Sequence, residues 1–418
     1  MRLSPSSVTG LPPVKPFNRS RILLPINHMA KSTPTKTKAE KEESEGPSSK
    51  DILSSFMTEH KDDHFNDVVP LHKVISTGSL LLDQHVKIRS GGVVRLSGLG
   101  AELGKTSESL VLLSNYMSVM PKSKGIYFKA EGRLSDEMKI RSGMKFVENP
   151  AEWEYGTTFV FCGNKFEVVA QLIENLLKDM HDKGEHLGII IDSLDGLILR
   201  ADADKDVWGG KESPKVAGVP LLTKLLFRRI ALPVTHYDAL MMITSQYSAP
   251  ISLDPYAPAA PRQISGGGGS SAMHQSDYVF ELGQRYMGDY ILEKPDEKPD
   301  VKSNQIVGVW ATYHIKKSGT DSSGIKIKIP IKKGRVGSAI WVEKEVVDMI
   351  LMFNLAKRSG AWFTFEEAFV NEAKEAGVTL KEKVQGLNGL YAYVESEKPV
   401  FDWLLTKFKG LLSISQTD

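Results

Sequence analysis

The sequence predicts an α/β protein built on a mainly parallel sheet, and three observations carry that prediction. Five apolar runs, "GGVVRLSG", "KGIYFKAEG", "TTFVFCG", "HLGIIIDSLDGL" and "LMMITSQYS", are too continuous to alternate between core and solvent. Between them lie stretches with apolar residues at three-and-four spacing, such as "FEVVAQLIENLLKDMHDKG". Such strands alternating with helices belong to a sheet covered on both faces. The first run also leads through a glycine-rich turn into an apolar-periodic helix, "VVRLSGLGAELGKTSESLVLLSNYM" at residues 93 to 117.

Composition sets the outer limits. The chain has 418 residues, 41% hydrophobic and 25% charged, the profile of a soluble globular protein of two or three structural units. A net charge of +2 does not announce a polyanion partner, so any nucleic-acid site must be local. Cys162 is the only cysteine, which excludes an internal disulfide and a Cys-rich zinc site; it reads as a small buried hydrophobe. The apolar runs are strand-sized, so no membrane span is expected.

In chain order, residues 1 to 48 are rich in Pro, Ser, Thr and Lys, with no acid before Glu40. They read as a disordered tail. An organelle transit peptide is a second reading, which Pro5, Pro12, Pro13, Pro16 and Pro25 disfavour. Read-through upstream of a start at Met29 is a third. "KDILSSFMTEH" from Lys50 is a short helix, followed by extended chain to residue 72. The core then runs to about residue 340, with a helix from Ser135 to Gly143 and another, "VPLLTKLLFRRIAL", that ends at Pro233. "IKIKI" is a half-buried edge strand with one basic face, guarded by Lys and Pro330. Around it cluster Lys316, Lys317, Lys332, Lys333 and Arg335, a solvated face or a contact for a polyanion. Residues 341 to 418 form a small C-terminal α/β domain. The charged insertion near residues 292 to 304 suggests no role.

Chemistry collects at the strand ends, where ligands of parallel sheets sit. Gly98, Gly100 and Gly104 let backbone N–H groups wrap a phosphate at a helix N-terminus. Lys105 then reaches the terminal phosphates, and the Thr106 hydroxyl ligates Mg²⁺, with Ser107 next in the turn. The usual loop has four residues between its first Gly and the Gly-Lys pair; here there are five from Gly98 or three from Gly100. The competing reading is a strand–turn–helix connection with a solvated Lys. Asp192 closes "GIIID" and suits a Mg²⁺-bound water, or else caps a turn. Glu131 is placed to activate a water, or is a solvated loop acid. Gln246 can donate to a phosphate oxygen at the mouth of a long loop containing Ile251, Arg262 and the Gly266–Gly269 run. That loop is either functional or an inert linker.

These motifs, "ISTGSLLLD", "GGVVRLSG…GKTS", "YFKAEG", "IIIDSLDGL", "ITSQ" and "ISGGGGSSA", stand in the order found in RecA-like DNA recombinases. The looser "KRSGAWFTFEE" also resembles that family, and phage recombinases of the UvsX type look closer than bacterial RecA. The resemblance covers roughly residues 50 to 410. It implies a RecA-type ATPase core over 73–340, with residues 49–72 as an arm that docks on the next protomer. Lys105, Thr106, Ser107 and Gln246 would then bind ATP, Glu131 would be the catalytic carboxylate and Asp192 would stand on the metal side. Lys316 and Lys317 lie near lysines that reach a neighbouring subunit's ATP. Residues 203 to 217 match a first DNA-binding loop. The loop after Gln246 matches the second, with Ile251 as an apolar wedge and Arg262, Gly266 and Gly267 beside DNA.

Cofactors implied are ATP and Mg²⁺. Partners implied are single-stranded DNA, homologous duplex DNA, further copies in a helical filament, and single-strand-binding and loader proteins; no membrane is involved. The location implied is the cytoplasm, of a host cell if the chain is phage-encoded. Met138 stands where relatives carry a tyrosine that stacks on adenine, which implies looser base recognition. Strand exchange on single-stranded DNA is the expected activity. A ring-forming motor on the same core and a non-catalytic DNA-binding paralogue are the alternatives.

Overall fold

A computed structural model of the chain describes residues 47–98, 103–132, 134–203, 205, 218–246, 269–294 and 304–412. Residues 1–46 of the expected 1–48 tail and most of the insertion, 295–303, lie outside these. The chain divides into two compact units, Met1–Lys61 and Asp62–Asp418. In the first, helix α1 (Ser49–Glu59) starts at a capping box: Asp51 N–H donates to Ser48 Oγ, and Asp51 carboxylate accepts from Ser48 N–H. No α1 residue is buried, and Ile52, Leu53 and Phe56 are more than half exposed.

The second unit opens with β1 (Val74–Ile75), α2 (Leu80–His85) and β2 (Ile88–Arg89), with β1 and β2 antiparallel. The core follows as β3 (Val93–Gly98), α3 (Lys105–Val119), β4 (Ser123–Lys129), α4 (Asp136–Ser142), β5 (Lys145–Val147) and β6 (Thr157–Cys162). It continues with α5 (Phe166–Asp182), β7 (His186–Asp192), α6 (Arg200–Ala203), α7 (Gly218–His236) and β8 (Leu240–Gln246). Then come α8 (Gly269–Gln275), β9 (Tyr278–Leu282), β10 (Tyr290–Leu292), β11 (Ile306–Lys317) and β12 (Lys326–Lys332).

Ten of these strands make one sheet in the order β10-β11-β9-β3-β8-β7-β4-β6-β5, with β12 on β11. From β9 to β5 every pairing is parallel; β10, β11 and β12 are antiparallel additions at one edge. The fold is thus α/β around a large, mostly parallel sheet, compatible with a RecA-type core. Pleating sends Tyr127, Ile190 and Met242 into a core with α3, and Phe128, Ile189 and Ile191 into one with α5 and α7. β12 alternates as its sequence predicts, with Lys326 and Lys328 exposed and Ile327 and Ile329 buried.

Two expectations are corrected. Helix α7 does not stop at Pro233 but runs on to His236. Proline forfeits one helical bond, yet Ile230 and Val234 on either side are fully buried, and Tyr237 N–H donates to Pro233 carbonyl at 2.9 Å. Cys162 is exposed rather than buried. The unforeseen edge strand β5 pairs only with Thr157–Phe159, so the far end of β6 is left uncovered on that side.

At the amino-terminal end of the sheet, Asp238 gathers the chain. Its carboxylate accepts from the N–H groups of Leu71 and His72 and from Ser90 Oγ. Phe65 stacks on His236 with ring centroids 5.2 Å apart, so residues 62–72 are bound into the second unit.

The C-terminal region comprises α9 (Val342–Met352), β13 (Ala356–Ser359), β14 (Trp362–Phe365), α10 (Glu367–Glu375), β15 (Lys383–Gln385), α11 (Gly386–Ser396) and α12 (Lys398–Leu411). Its three strands are antiparallel, and Phe363, Phe369, Tyr393 and Phe408 share a core of their own. The fully buried Glu345 of α9 ties it to the core, accepting from Ser79 Oγ at 2.6 Å and Leu80 N at 2.7 Å, the start of α2.

Candidate nucleotide site

Four parallel strands end side by side, and register decides which side chains meet. Gly98 of β3 lies opposite Gln246 of β8, and Lys129 of β4 lies opposite Asp192 of β7. Gly104, left-handed at φ 100°, turns the chain into α3, a 15-residue helix whose first N–H groups face the same end. Lys105 and Thr106 open that helix, and the Lys105 side chain is largely buried.

Asp192 is the hub. Its Oδ2 accepts from Thr106 Oγ1 at 2.7 Å and from Tyr127 OH at 2.5 Å, and its Oδ1 accepts from Thr244 Oγ1 at 2.5 Å. Burial, reinforced by the Asp192 charge, pushes the Tyr127 phenol far above its ordinary range, so it remains a donor. The carboxylate is therefore fixed in place with charge to spare for a cation or a water.

Glu131 lies two residues beyond β4, in a turn pinned by the Ala130 and Glu131 N–H groups on the Asp192 carbonyl, at 3.0 and 3.4 Å. Ser193 Oγ donates to its Oε1, and Gln246 Nε2 donates to its Oε2 at 3.3 Å. Gly196 packs underneath; a Cβ there would lie 2.6 Å from Glu131 Cγ. Gln246 is held in turn by its N–H on Asp195 Oδ2 at 2.7 Å. A chain of contacts thus runs from Asp195 through Gln246 to Glu131.

Lys105, Thr106, Ser107, Glu131, Asp192 and Gln246 all line one cavity of about 870 Å³. Its far wall is built by α4, with Ser135, Met138 and Arg141, and by the β9–β12 edge, with Arg285, Tyr290 and Tyr313. Glu108, a turn into α3, accepts from Tyr313 OH at 3.0 Å; burial pushes its carboxyl up to about 8, opposed by that bond.

Other expected residues fall elsewhere. Lys316 pairs with Glu281 at 2.8 Å, and Lys317 donates to the carbonyls of His274 and Ser276. Lys317 is in register with Val279 near the start of β9, so both lie at the opposite end of the parallel strands from Lys105. Gly100, Ile251, Arg262, Gly266, Gly267 and nearly all of 203–217 lie outside the described residues.

Sequence reasoning did not single out Tyr127, Ser193, Thr244, Glu108, Tyr313 or Arg285. The hydroxyl of "GIYFK" and the polar pair inside "MMITSQ" were the available signals: polar groups in otherwise apolar strands.

No family model matches the chain. A stretch of 99 residues is 30% identical to Protein RecA of Malacoplasma penetrans (strain HF-2), covering 21% of this chain and 26% of that protein. The chain thus spans about a quarter of the length of the relative it matches. That similarity supports a RecA-like family and nothing finer.

Proposed function

We propose that the chain is a DNA-dependent ATPase of the RecA-like kind, which assembles on single-stranded DNA and exchanges strands with a homologous duplex. The observation that carries this reading is the convergence of Lys105, Thr106, Asp192, Glu131 and Gln246 on one cavity at the carboxyl ends of adjacent strands. The α3 N-terminus and Lys105 would hold the phosphates. Glu131, oriented by Ser193 and Gln246, would take the proton of an attacking water.

The donor set suits Mg²⁺. Thr106 gives its hydrogen to Asp192, which leaves its lone pairs for a hard cation, and Mg²⁺ keeps most of its waters. Asp192 would hold one of those waters. A Mg²⁺ held by Thr106 and, through a water, by Asp192 would supply charge neutralisation for the phosphates.

The two ends of the sheet are compatible with the proposed assembly. The cavity is at one end and Lys316 and Lys317 at the other, so head-to-tail stacking brings these lysines towards a neighbour's nucleotide. Such heterologous contacts give filaments or closed rings. The loop after Gln246 would carry the DNA, with Ile251 entering the base stack. A UvsX-like phage origin and action in the cytoplasm belong to the same proposal.

The test is ATP turnover with and without single-stranded DNA, beside electron microscopy of the complex. Stimulated turnover with helical filaments is expected, and Lys105→Ala should abolish both. Closed rings instead of filaments would turn the reading to a RecA-fold motor. Turnover of Lys105→Ala at the parental rate would falsify the site.

A further inference from the structure

Besides Lys105, the cavity is lined by Arg141, Arg285, Lys332 and Lys333, and the nucleotide reading leaves Arg285 without a task. Arg285 follows β9 on the connection to β10 and lines the same cavity as Lys105, Thr106 and Glu108. Its Nε is buried and has no hydrogen-bond partner among the described residues. The nearby acid does not serve it: the Glu108 carboxyl is taken by the Tyr313 phenol. A guanidinium is charged at every accessible pH and carries only donors. Leaving one buried donor unmatched is costly, and native chains rarely keep such a group without a use.

We propose that Arg285 is a contact, supplied by the same chain, for the phosphate groups of the nucleotide in this cavity. The assignment rests on the nucleotide reading above and deepens it. Phosphate is the class of ligand that fits best. The planar fork of Arg matches two phosphate oxygens at once, and the same cavity already concentrates positive potential from Lys105 and the α3 N-terminus. A purine or ribose would meet a neutral or acceptor-bearing wall more readily than a free cation. Arg285 lies on the connection from β9 to the antiparallel strand β10 and Lys105 opens α3, so a bound polyphosphate would be gripped from two separate elements.

Equilibrium binding of ATP, ADP, pyrophosphate and adenosine to the full chain tests this. Arg285→Ala should weaken ATP, ADP and pyrophosphate about 10- to 100-fold, the span for hydrogen bonds to charged groups, and leave adenosine unchanged. Arg285→Lys should recover part of the loss, since it restores charge without the fork. Circular dichroism checks folding, and should the alanine variant unfold, the lysine and Arg285→Gln variants carry the comparison. Phosphate-bearing ligands within twofold of parent while Lys105→Ala still loses them would overturn the Arg285 assignment alone. Equal loss of adenosine would also overturn it, in favour of base or structural contacts. A parent chain that binds no nucleotide would overturn the cavity reading and this assignment together.

Discussion

Each residue around Asp192 has one partner that limits what it can do. Thr106, Tyr127 and Thr244 all donate to that carboxylate, while Ser193 and Gln246 donate to Glu131. The two acids are thus separated in role: Asp192 is held static by three hydroxyl donors with room for a water, and Glu131 is oriented by Ser193 and Gln246. Glu131→Gln keeps the size but loses the proton acceptor. Turnover is expected to fall at least about 100-fold, the lower range of general-base effects, with ATP affinity near parental. Single-turnover hydrolysis beside nucleotide titration measures both; a parallel loss of affinity would mark Glu131 as structural. Asp192, Glu131 and Gln246 were legible because they end apolar runs. Their hydroxyl partners were not, since Tyr127 and Thr244 reach Asp192 only through the register of β4 and β8 against β7. One residue's slip would have turned them to the other face.

Elements are joined by buried acids that no periodicity reveals. Glu345 of α9 accepts from the first residues of α2, across more than 260 positions of sequence. Its burial holds the carboxyl well above the ordinary carboxylate range, against the Ser79 and Leu80 donors. Glu345→Ala leaves those donors unpaired in the interior and should cost on the order of 2–4 kcal/mol, read from urea unfolding. A loss under about 0.5 kcal/mol, the scatter of surface substitutions, would remove this link.

Asp83 on α2 supplies a pH signature. Burial pushes its carboxyl from 3.8 up to about 6, with Ser76 and Thr77 pulling the other way. The folded chain holds this proton more tightly than the unfolded one, so unfolding releases it between those values. Its contribution is therefore complete below about pH 4, is lost as pH rises to about 6, and then stays constant. The gap corresponds to roughly 3 kcal/mol. Asp83→Asn should lack this loss, so the variant gains about that much relative to parent between pH 4 and 7. Identical pH dependence in urea melts would refute it. The order of β3, β4, β6, β7 and β8 was readable because apolar runs of strand length rarely admit a second reading, whereas β5, β9, β10 and β11 were not foreseen. Pro233 and Cys162 misled because the one is outweighed by its buried neighbours and the other depends on how far β5 extends.

Across the whole molecule, the N-terminal segment has a clear division. Residues 1–61 form a unit of their own, while 62–72 are fastened to the core through Asp238. On the reading proposed above, removing 1–61 should leave a core of parental stability that no longer assembles, which sedimentation on DNA would show. Removing 1–72 also strips two backbone donors from the buried Asp238 and should cost a further 1–3 kcal/mol or so in urea. Equal stability of the two truncations would detach Asp238 from that role.

Asp238 also fixes how the molecule bears load. It stands two residues ahead of β8, and the seven residues Leu240–Gln246 reach about 23 Å to the contact with Glu131. A pull on the chain before Leu71 therefore reaches Asp238, at the amino-terminal end of a strand flanked by β3 and β7. Tension along that strand would load the ladder bonds in shear, where they must fail together, and not one by one as in unzipping. The strand behaves as a strut, with the tether at one end and Gln246 at the other.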